Sequence, residues 1–234
     1  MMPFRKLREE VVRVNREIVR AGLVVLTWGN ASAADRKAGV MAIKPSGVDY
    51  AQLTPEDIVV LALADGRVVA GKLRPSSDTP THLHLYQQFA GIGGIVHTHS
   101  LRATAWAQAG RALPCLGTTH ADHFHGTIPV ARKLTRAEVA GAYELNTGVA
   151  IVDTFRKRKL DPLHVPGVLV PGHAPFAWGR TAQAALENAI VLEAVAGLAQ
   201  DTLALAPKTP PLAAHLLDKH FLRKHGPGAY YGQK

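Results

Sequence analysis

The spacing of apolar positions changes period several times along this chain, and each change marks an element. From Arg5 to Ala21, Leu7, Val11, Val14 and Ile18 recur every three or four residues with arginines between them. That pattern predicts an amphipathic helix ended by Gly22. Leu23 to Trp28 is an unbroken apolar run rich in β-formers and reads as a buried strand, which Gly29-Asn30 breaks. A polar turn from Asp35 to Gly39 leads to Val40–Ile43, a second strand placed as in a hairpin. Lys44-Pro45-Ser46-Gly47 is a tight loop. Thr54-Pro55-Glu56-Asp57 predicts a short helical turn with Thr54 as its cap. Ile58–Leu63 and Arg67–Val69 flank Asp65-Gly66, a strong hairpin signal.

The second half alternates in the same way. The loop Pro75–Pro80 feeds a predicted helix from Thr81 to Phe89. A turn at Gly91–Gly94 precedes a strand at Ile95–His99, and Ser100 is placed to cap a helix reaching Ala109. Thr118–Pro129 is a histidine-rich loop. Thr135 and Glu138 have capping-box spacing. Val149–Val152 and Val168–Val170 read as short strands, Thr181 as the cap of a long helix to Gln200, and Pro210–Arg223 as a last helix before the tail 224–234. No repeat or linker interrupts the alternation. It predicts one α/β domain over residues 1–234 whose sheet includes antiparallel pairs.

Composition narrows the class. A chain of 234 residues with 47% hydrophobic and 19% charged residues is long and apolar enough to fold without staples. Cys115 is the single cysteine, which excludes an internal disulfide and a thiolate zinc finger and suits a reducing, cytoplasmic setting. No segment reads as long and apolar enough to span a bilayer, and residues 1–6 do not read as the start of a secretory leader. The net charge of +9 points to an anion: nucleic acid, a membrane surface or a phosphorylated metabolite. Arg156-Lys157-Arg158-Lys159 has no interleaved aromatics and reads as a solvated face near a helix end, so no nucleic-acid partner is expected.

Twelve histidines change the picture more than the charge does. His97-Thr98-His99 ends a predicted strand, and strand alternation turns both imidazoles to one face. The pair reads as two metal ligands or as a partly exposed polar pair. In the first reading His173, just after the strand Val168–Val170, supplies a third ligand. Three neutral imidazoles with one open position suit catalytic zinc. Asp78, in Ser76-Ser77-Asp78-Thr79-Pro80, reads either as a helix-entry cap or as a carboxylate beside that metal. Ser46-Gly47 and Ser76-Ser77, with Lys44 nearby, either hold a phosphate or are ordinary turns. His120-Ala121-Asp122-His123-Phe124-His125 is a second metal site, an acid/base group or a solvated loop. His82 and His84 diverge by about 200° on a helix and do not share a metal.

In chain order, several blocks carry a resemblance. They are Leu26-Thr27-Trp28-Gly29-Asn30, Lys44-Pro45-Ser46-Gly47-Val48-Asp49-Tyr50, Pro75 to His82, Gly94 to Ser100, Gly117 to Asp122, Gly126 to Pro129, Pro175 to Gly179, and the tail Leu222 to Gly226 with Tyr230-Tyr231-Gly232-Gln233. Together the chain resembles, almost end to end, the class II sugar-phosphate aldolase and epimerase family. The resemblance implies an α/β/α sandwich around a central, largely antiparallel sheet. It implies a divalent metal, zinc with manganese as the alternative, on His97, His99 and His173 with Asp78 as the acid. It implies substrate and phosphate loops at Gly29-Asn30, Ser46-Gly47 and Ser76-Ser77. Asp122 and Tyr231 match residues that a neighbouring subunit of a fourfold homotetramer contributes. Aspartate at position 78, where the aldolases usually carry glutamate, and the tyrosine tail imply the epimerase branch: L-ribulose 5-phosphate to D-xylulose 5-phosphate, a step of arabinose breakdown. A fuculose-phosphate-type aldolase is the alternative. His123 and His125 depart from expected aromatics, and Pro171-Gly172 from a more polar pair.

Inverting C4 of a 2-ketopentose phosphate restricts the chemistry. The C4 proton is not next to the carbonyl. Oxidation and re-reduction would need a nicotinamide, yet Gly91–Gly94 precedes a strand instead of following one, so the dinucleotide fingerprint fails. Cleavage and re-formation of C3–C4 remains. It asks for stabilisation of the developing enediolate, by a Schiff-base lysine or by a Lewis acid, and the histidine set makes the second, a histidine-held metal, the expected one. It asks also for two acid/base groups at the C4 hydroxyl, the expected roles of Asp122 and Tyr231. Lys44, Asn30 and the serine loops are then expected to hold the phosphate and the fragment.

Overall fold

A computed structural model describes residues 2–231; Met1, Lys234 and the Gly232-Gln233 end of the tail motif lie outside the described residues. Among them, β1 (Gly29–Asp35), β2 (Val40–Ile43), β3 (Val59–Ala62), β4 (Val68–Ala70), β5 (Gly94–Thr98), β6 (Gly167–Leu169) and β7 (Pro175–Gly179) form one sheet. Its order is β4-β3-β2-β1-β5-β7-β6, and every neighbouring pair is antiparallel. The helices are α1 (Arg5–Arg20), α2 (Thr79–Gln88), α3 (Leu101–Gln108), α4 (Thr118–Ala121), α5 (Arg136–Ala140), α6 (Tyr143–Arg158), α7 (Ala182–Leu205) and α8 (Ala214–His225).

Both faces of the sheet are covered, so the strands alternate between two cores and not between core and water. Ala42, Val60, Val96 and Ala177 join Val11, Val14 and Ile18 of α1 and Ala185 and Leu186 of α7. Their neighbours Met41, Leu61, Ile95 and Trp178 face the other way, onto Leu85 and Tyr86 of α2 and Ile151 and Phe155 of α6. This is the expected α/β/α sandwich. Buried Asn15 of α1 fixes the central strand to its helix layer: its amide donates to the carbonyl of Ala31, and its Oδ1 accepts from the Ala31 N–H.

Several expectations are corrected. Leu23–Trp28 is not a strand. Leu26 takes a left-handed φ of 53° and is 76% exposed, and Trp28 is 53% exposed. Leu23 and Val24 pack on the α1-side core, Trp28 lines a pocket, and the strand begins at Gly29, where pairing to β5 starts. Val149–Val152 lies inside α6; its β-branched residues are tolerated because the helix buries that stretch against the second core. Thr54–Asp57 is a turn in which the Asp57 carboxylate accepts from the Thr54 N–H and hydroxyl, so the capping roles are reversed. The helix after Pro75 begins at Thr79, and the last helix runs from Ala214 to His225.

Ser100 does not cap α3 with its side chain; the Glu193 carboxylate of α7 accepts from the N–H groups of Arg102 and Ala103 instead. The same α7 overturns the reading that no segment is long and apolar enough to cross a bilayer. Its 24 residues reach a mean hydropathy of 1.2 over an 18-residue window. Its Ala185, Leu186, Leu192, Val195 and Ala196 are buried in the two cores, which is why a helix inside this fold is that apolar. The Thr135–Glu138 capping box and the Thr181 cap form as expected. Arg156, Lys157 and Arg158 complete the last turn of α6, where cations suit the helix dipole.

Candidate metal centre and active site

Strand β5 delivers the first imidazole. His97 pairs with Asn30 on β1 and with Phe176 on β7, so its backbone is held on both sides. Gly29 is required next to it, because a Cβ there would stand 2.9 Å from the His97 carbonyl oxygen. His97 Nδ1 lies 2.9 Å from the Pro175 carbonyl oxygen and its ring stacks on Phe176 at 4.0 Å. A carbonyl partner fixes the proton on Nδ1 and leaves the Nε2 lone pair free. His99, just past the strand, and His173, in the loop between β6 and β7, bring their rings to 5.1 and 5.0 Å from His97. One ligand atom from each of the three lies within 4.8 Å of the others.

The N-terminal ends of α2 and α6 close the site. Asp78, immediately before α2, makes no side-chain capping bond. Its Oδ2 accepts from the Asn30 amide at 2.6 Å and stands 4.0 Å from His97 Nε2. The same amide donates to Ser76 Oγ at 3.1 Å. Tyr143, at the start of α6, places its hydroxyl 3.1 Å from His173 Nδ1. Behind the cluster a buried network joins Ser32 Oγ to His82 Nδ1 at 2.7 Å and to the Tyr86 hydroxyl at 2.9 Å.

The electrostatics suit a cation. Burial, helped by the two neighbouring imidazoles, pushes His173 down to about 4, and burial lowers His99 as well. Both are therefore neutral at pH 7, the form that ligates. Burial works to raise Asp78, but the facing imidazoles and the Asn30 donor hold its carboxyl below the usual range. Ligating nitrogens about 2.1 Å from a zinc ion stand roughly 3.4 Å apart, the scale of spacing at which these three rings converge. Three imidazoles, one of them already oriented by a carbonyl, with a carboxylate alongside, fit a divalent metal.

The pocket in front of the cluster has a volume of about 450 Å³. Its walls include Gly29, Asn30, Lys44, Ser46, Gly47, Ser76, Ser77 and Asp78 along with the three histidines, so every expected ligand and substrate-loop residue converges here. Lys44 is buried, donates to the Pro45 carbonyl oxygen and lies over the Tyr50 ring at 4.7 Å; burial lowers its pKa. Trp28, Tyr143 and Glu144 also line the pocket, and sequence reasoning singled out neither Tyr143 nor Glu144.

Asp122 and Tyr231 are not among the described residues lining this pocket. They lie together elsewhere, on the face made by α4 and α8. Arg223 donates to both oxygens of Asp122, at 3.2 and 2.9 Å, and its guanidinium sits 4.4 Å from the Tyr231 ring centre. His220 adds a 3.0 Å contact. Burial works to raise Asp122, but these partners outweigh it, and the carboxyl is held below its ordinary range.

Comparison with known proteins follows the same outline. Residues 9–199 match the Class II Aldolase and Adducin N-terminal domain family. Proteins curated as L-ribulose-5-phosphate 4-epimerase UlaF, from Salmonella paratyphi B (strain ATCC BAA-1250 / SPB7) and from Salmonella typhi, are 54% identical over 231 residues, 99% of this chain and 100% of theirs. Among solved structures, an L-fuculose 1-phosphate aldolase superposes with a TM-score of 0.78 at 25% identity, over 94% of this chain and 96% of its own. L-fuculose-1-phosphate aldolase from Thermus thermophilus gives 0.67 at 25% identity, over 88% and 99%. The matched span runs from α1 into α7 and so contains the whole sheet and the three histidines that converge at the end of its β5: the chain belongs to the class II aldolase family.

Proposed function

We propose that this chain is a metal-dependent epimerase that interconverts L-ribulose 5-phosphate and D-xylulose 5-phosphate, inverting C4 by cleavage and re-formation of the C3–C4 bond. The observation that carries the reading is the 54% identity, across essentially the whole chain, to proteins named for that activity. The three-imidazole pocket supports it independently.

His97, His99 and His173, with Asp78 alongside, would hold the cation. The group so held, zinc or manganese in its place, would supply Lewis acidity for the negative charge that develops on cleavage. The chain's own residues do the rest. Lys44, the Ser46-Gly47 loop and Ser76-Ser77 bind the phosphate, and Asn30, held against Asp78, orients the oxygens of the ketone fragment. Gripped in this way, the phosphate-bearing aldehyde turns over its other face without leaving. Asp122 and Tyr231 move the proton at the C4 hydroxyl, one removing it on one face and the other returning it on the opposite face. Both sit off their own chain's pocket, which supports an active site completed by a neighbouring copy in a fourfold homotetramer. The free, buried Cys115 supports a reducing cytoplasmic setting, and arabinose breakdown is one pathway that needs the step.

A second reading, an aldolase that releases dihydroxyacetone phosphate and an aldehyde, is favoured by the superposition on L-fuculose 1-phosphate aldolase. One assay separates them. Metal-stripped protein is given L-ribulose 5-phosphate before and after zinc or manganese is restored, and D-xylulose 5-phosphate is followed by a coupled enzyme. The epimerase reading expects product only after metal is restored. No D-xylulose 5-phosphate in the metal-loaded protein overturns it, and turnover of L-fuculose 1-phosphate in its place establishes the aldolase.

A further inference from the structure

His173 is held in a different way from His97. His97 lies in a strand paired on both sides, with its ring against Phe176 and its Nδ1 on the Pro175 carbonyl. His173 instead follows Pro171-Gly172 in a turn. Gly172 has a φ of 70°, and a Cβ built on it would meet nothing within 4 Å. The loop is held through its backbone, by the Gly172 N–H on the Ala107 carbonyl and the His173 N–H on the Val170 carbonyl, and not by a side chain at 172. The side-chain hydrogen bond found for His173 among the described residues runs to the Tyr143 hydroxyl, at 3.1 Å, and the two rings stack at 24° with centres 6.2 Å apart.

Tyr143 stands on a firmer base than the histidine it touches. It opens the 16-residue helix α6, and its carbonyl accepts from the Thr147 hydroxyl at 3.0 Å. The same turn is tied to α2 by the Thr81 hydroxyl, which donates to the Glu144 carbonyl. Gly148, one turn on, lets α6 approach α2 so closely that a Cβ would lie 3.1 Å from His84 Cβ.

We propose that Tyr143 is a positioning residue for the metal centre, holding the ring and the tautomer of His173. The inference rests on the metal-centre reading above. A neutral imidazole has one N–H. With Nδ1–H donating to the Tyr143 oxygen, Nε2 carries the lone pair and is the nitrogen presented to a cation. The phenol then plays for His173 the part that the Pro175 carbonyl plays for His97. Its own proton is not needed by the histidine and is left for the pocket that Tyr143 lines. Partners of this kind typically contribute 10–100-fold to metal affinity. The backbone bonds of the Pro171-Gly172 turn fix the main chain but not the rotation of the His173 ring, which leaves that to its side-chain partner.

Tyr143→Phe keeps the ring and removes the oxygen. Zinc affinity of the full chain is measured by competition with a chromophoric chelator, and the cobalt-loaded protein by its visible d–d spectrum. The variant should bind zinc at least about 10-fold more weakly and show an altered cobalt spectrum. Its metal-free melting temperature should match wild type, and excess zinc should restore most of kcat with KM for L-ribulose 5-phosphate little changed. Wild-type zinc affinity together with a wild-type cobalt spectrum in the variant would overturn the inference. Failure of the wild-type chain to take up zinc or cobalt would remove the metal-centre reading itself, and the inference with it. An unfolded variant is recognised by its melting curve, and Tyr143→Trp, which retains an aromatic wall and cannot place an acceptor at the same point, then tests the same loss of affinity.

Discussion

Histidines gather in two regions of this molecule, and what their second nitrogens do separates the two. In the centre at the end of β5, the rings of His97, His99 and His173 face one another at 5.0–5.1 Å. Where an Nδ1 is engaged, its partner is neutral: the Pro175 carbonyl or the Tyr143 hydroxyl. On the α4–α8 face the imidazoles are spent on the fold. His120 Nε2 bonds the Gly126 carbonyl, and His125 Nε2 meets Asp218. His220 and His225 bond the carboxylate and carbonyl of Asp122, and His125 and His225 pack on Phe221. Among the described residues, only the first group brings three ligand atoms together. The second metal site considered for His120–His125 is therefore replaced by a structural face that carries Asp122. A count of histidines does not find a metal centre; convergence of nitrogens with no other engagement does.

The largest effect should come from striking the first region. His97→Ala removes the ligand with the most fixed ring, and metal content and epimerisation should both fall to background. His125→Ala, in the second region, should retain the wild-type metal stoichiometry. Elemental analysis of the two purified variants checks the contrast, and equal metal loss in both would break it.

The next effect separates holding a metal from moving a proton. Asp122→Asn preserves shape and removes the base. It should leave metal content unchanged while turnover falls by about 10²–10⁴-fold. A variant that turns over at the wild-type rate removes Asp122 from the proton transfer, whatever its place on α4.

The two regions also differ in how far they could be read from the chain. Of the first region only the spacing was legible locally: His97 and His99 sit at strand spacing, whereas Ser46-Gly47 and Ser76-Ser77 read equally as ordinary turns until the family blocks singled them out. Tyr143 was not, because its meaning depends on His173, 30 positions away, and on α6 being a helix where Val149–Val152 read as a strand. Short β-branched runs carry no period of their own, and burial on α6 decided the matter. Leu23–Trp28 failed for the opposite reason: Leu23 is core, but Leu26 is exposed and Trp28 lines the pocket, and a pattern rule takes every apolar run for core. β7, with Pro175 at one end and Gly179 at the other, was visible only as part of a family motif. The Glu193 cap on α3 joins residues about 90 positions apart, beyond any local rule.

A smaller effect follows from pH. Burial pushes His120 down to about 4, only partly offset by its bond to the Gly126 carbonyl, against about 6.5 in an unfolded chain. The folded state therefore binds fewer protons than the unfolded one between those values. The stability that neutral His120 contributes is complete above pH 6.5 and is lost as pH falls toward 4. From pH 7 to pH 5 the loss should be about 2 kcal/mol. Denaturant melts of the metal-free chain at the two pH values check it. In His120→Asn the decline should be shallower by about that amount, and an unchanged slope would show that His120 is not held neutral.

The smallest effect belongs to the most exposed pair. His125 Nε2 lies 2.7 Å from Asp218 Oδ1, but their side chains are 37% and 53% exposed. Water screens such a pair, and ordering two side chains costs entropy, so its contribution should be below about 1 kcal/mol. The His125 ring adds packing against Phe221, at 4.9 Å between centres. Asp218→Asn, which removes only the charge, should therefore lower the melting temperature by no more than about 2–4 °C, and His125→Ala slightly more. A double-mutant cycle separates ion pair from packing: with Ala at 125, the further change Asp218→Asn should cost almost nothing. If instead either single change costs several kcal/mol, or releases metal, the α4–α8 face is coupled to the metal centre within one chain, and the division between the two regions does not hold.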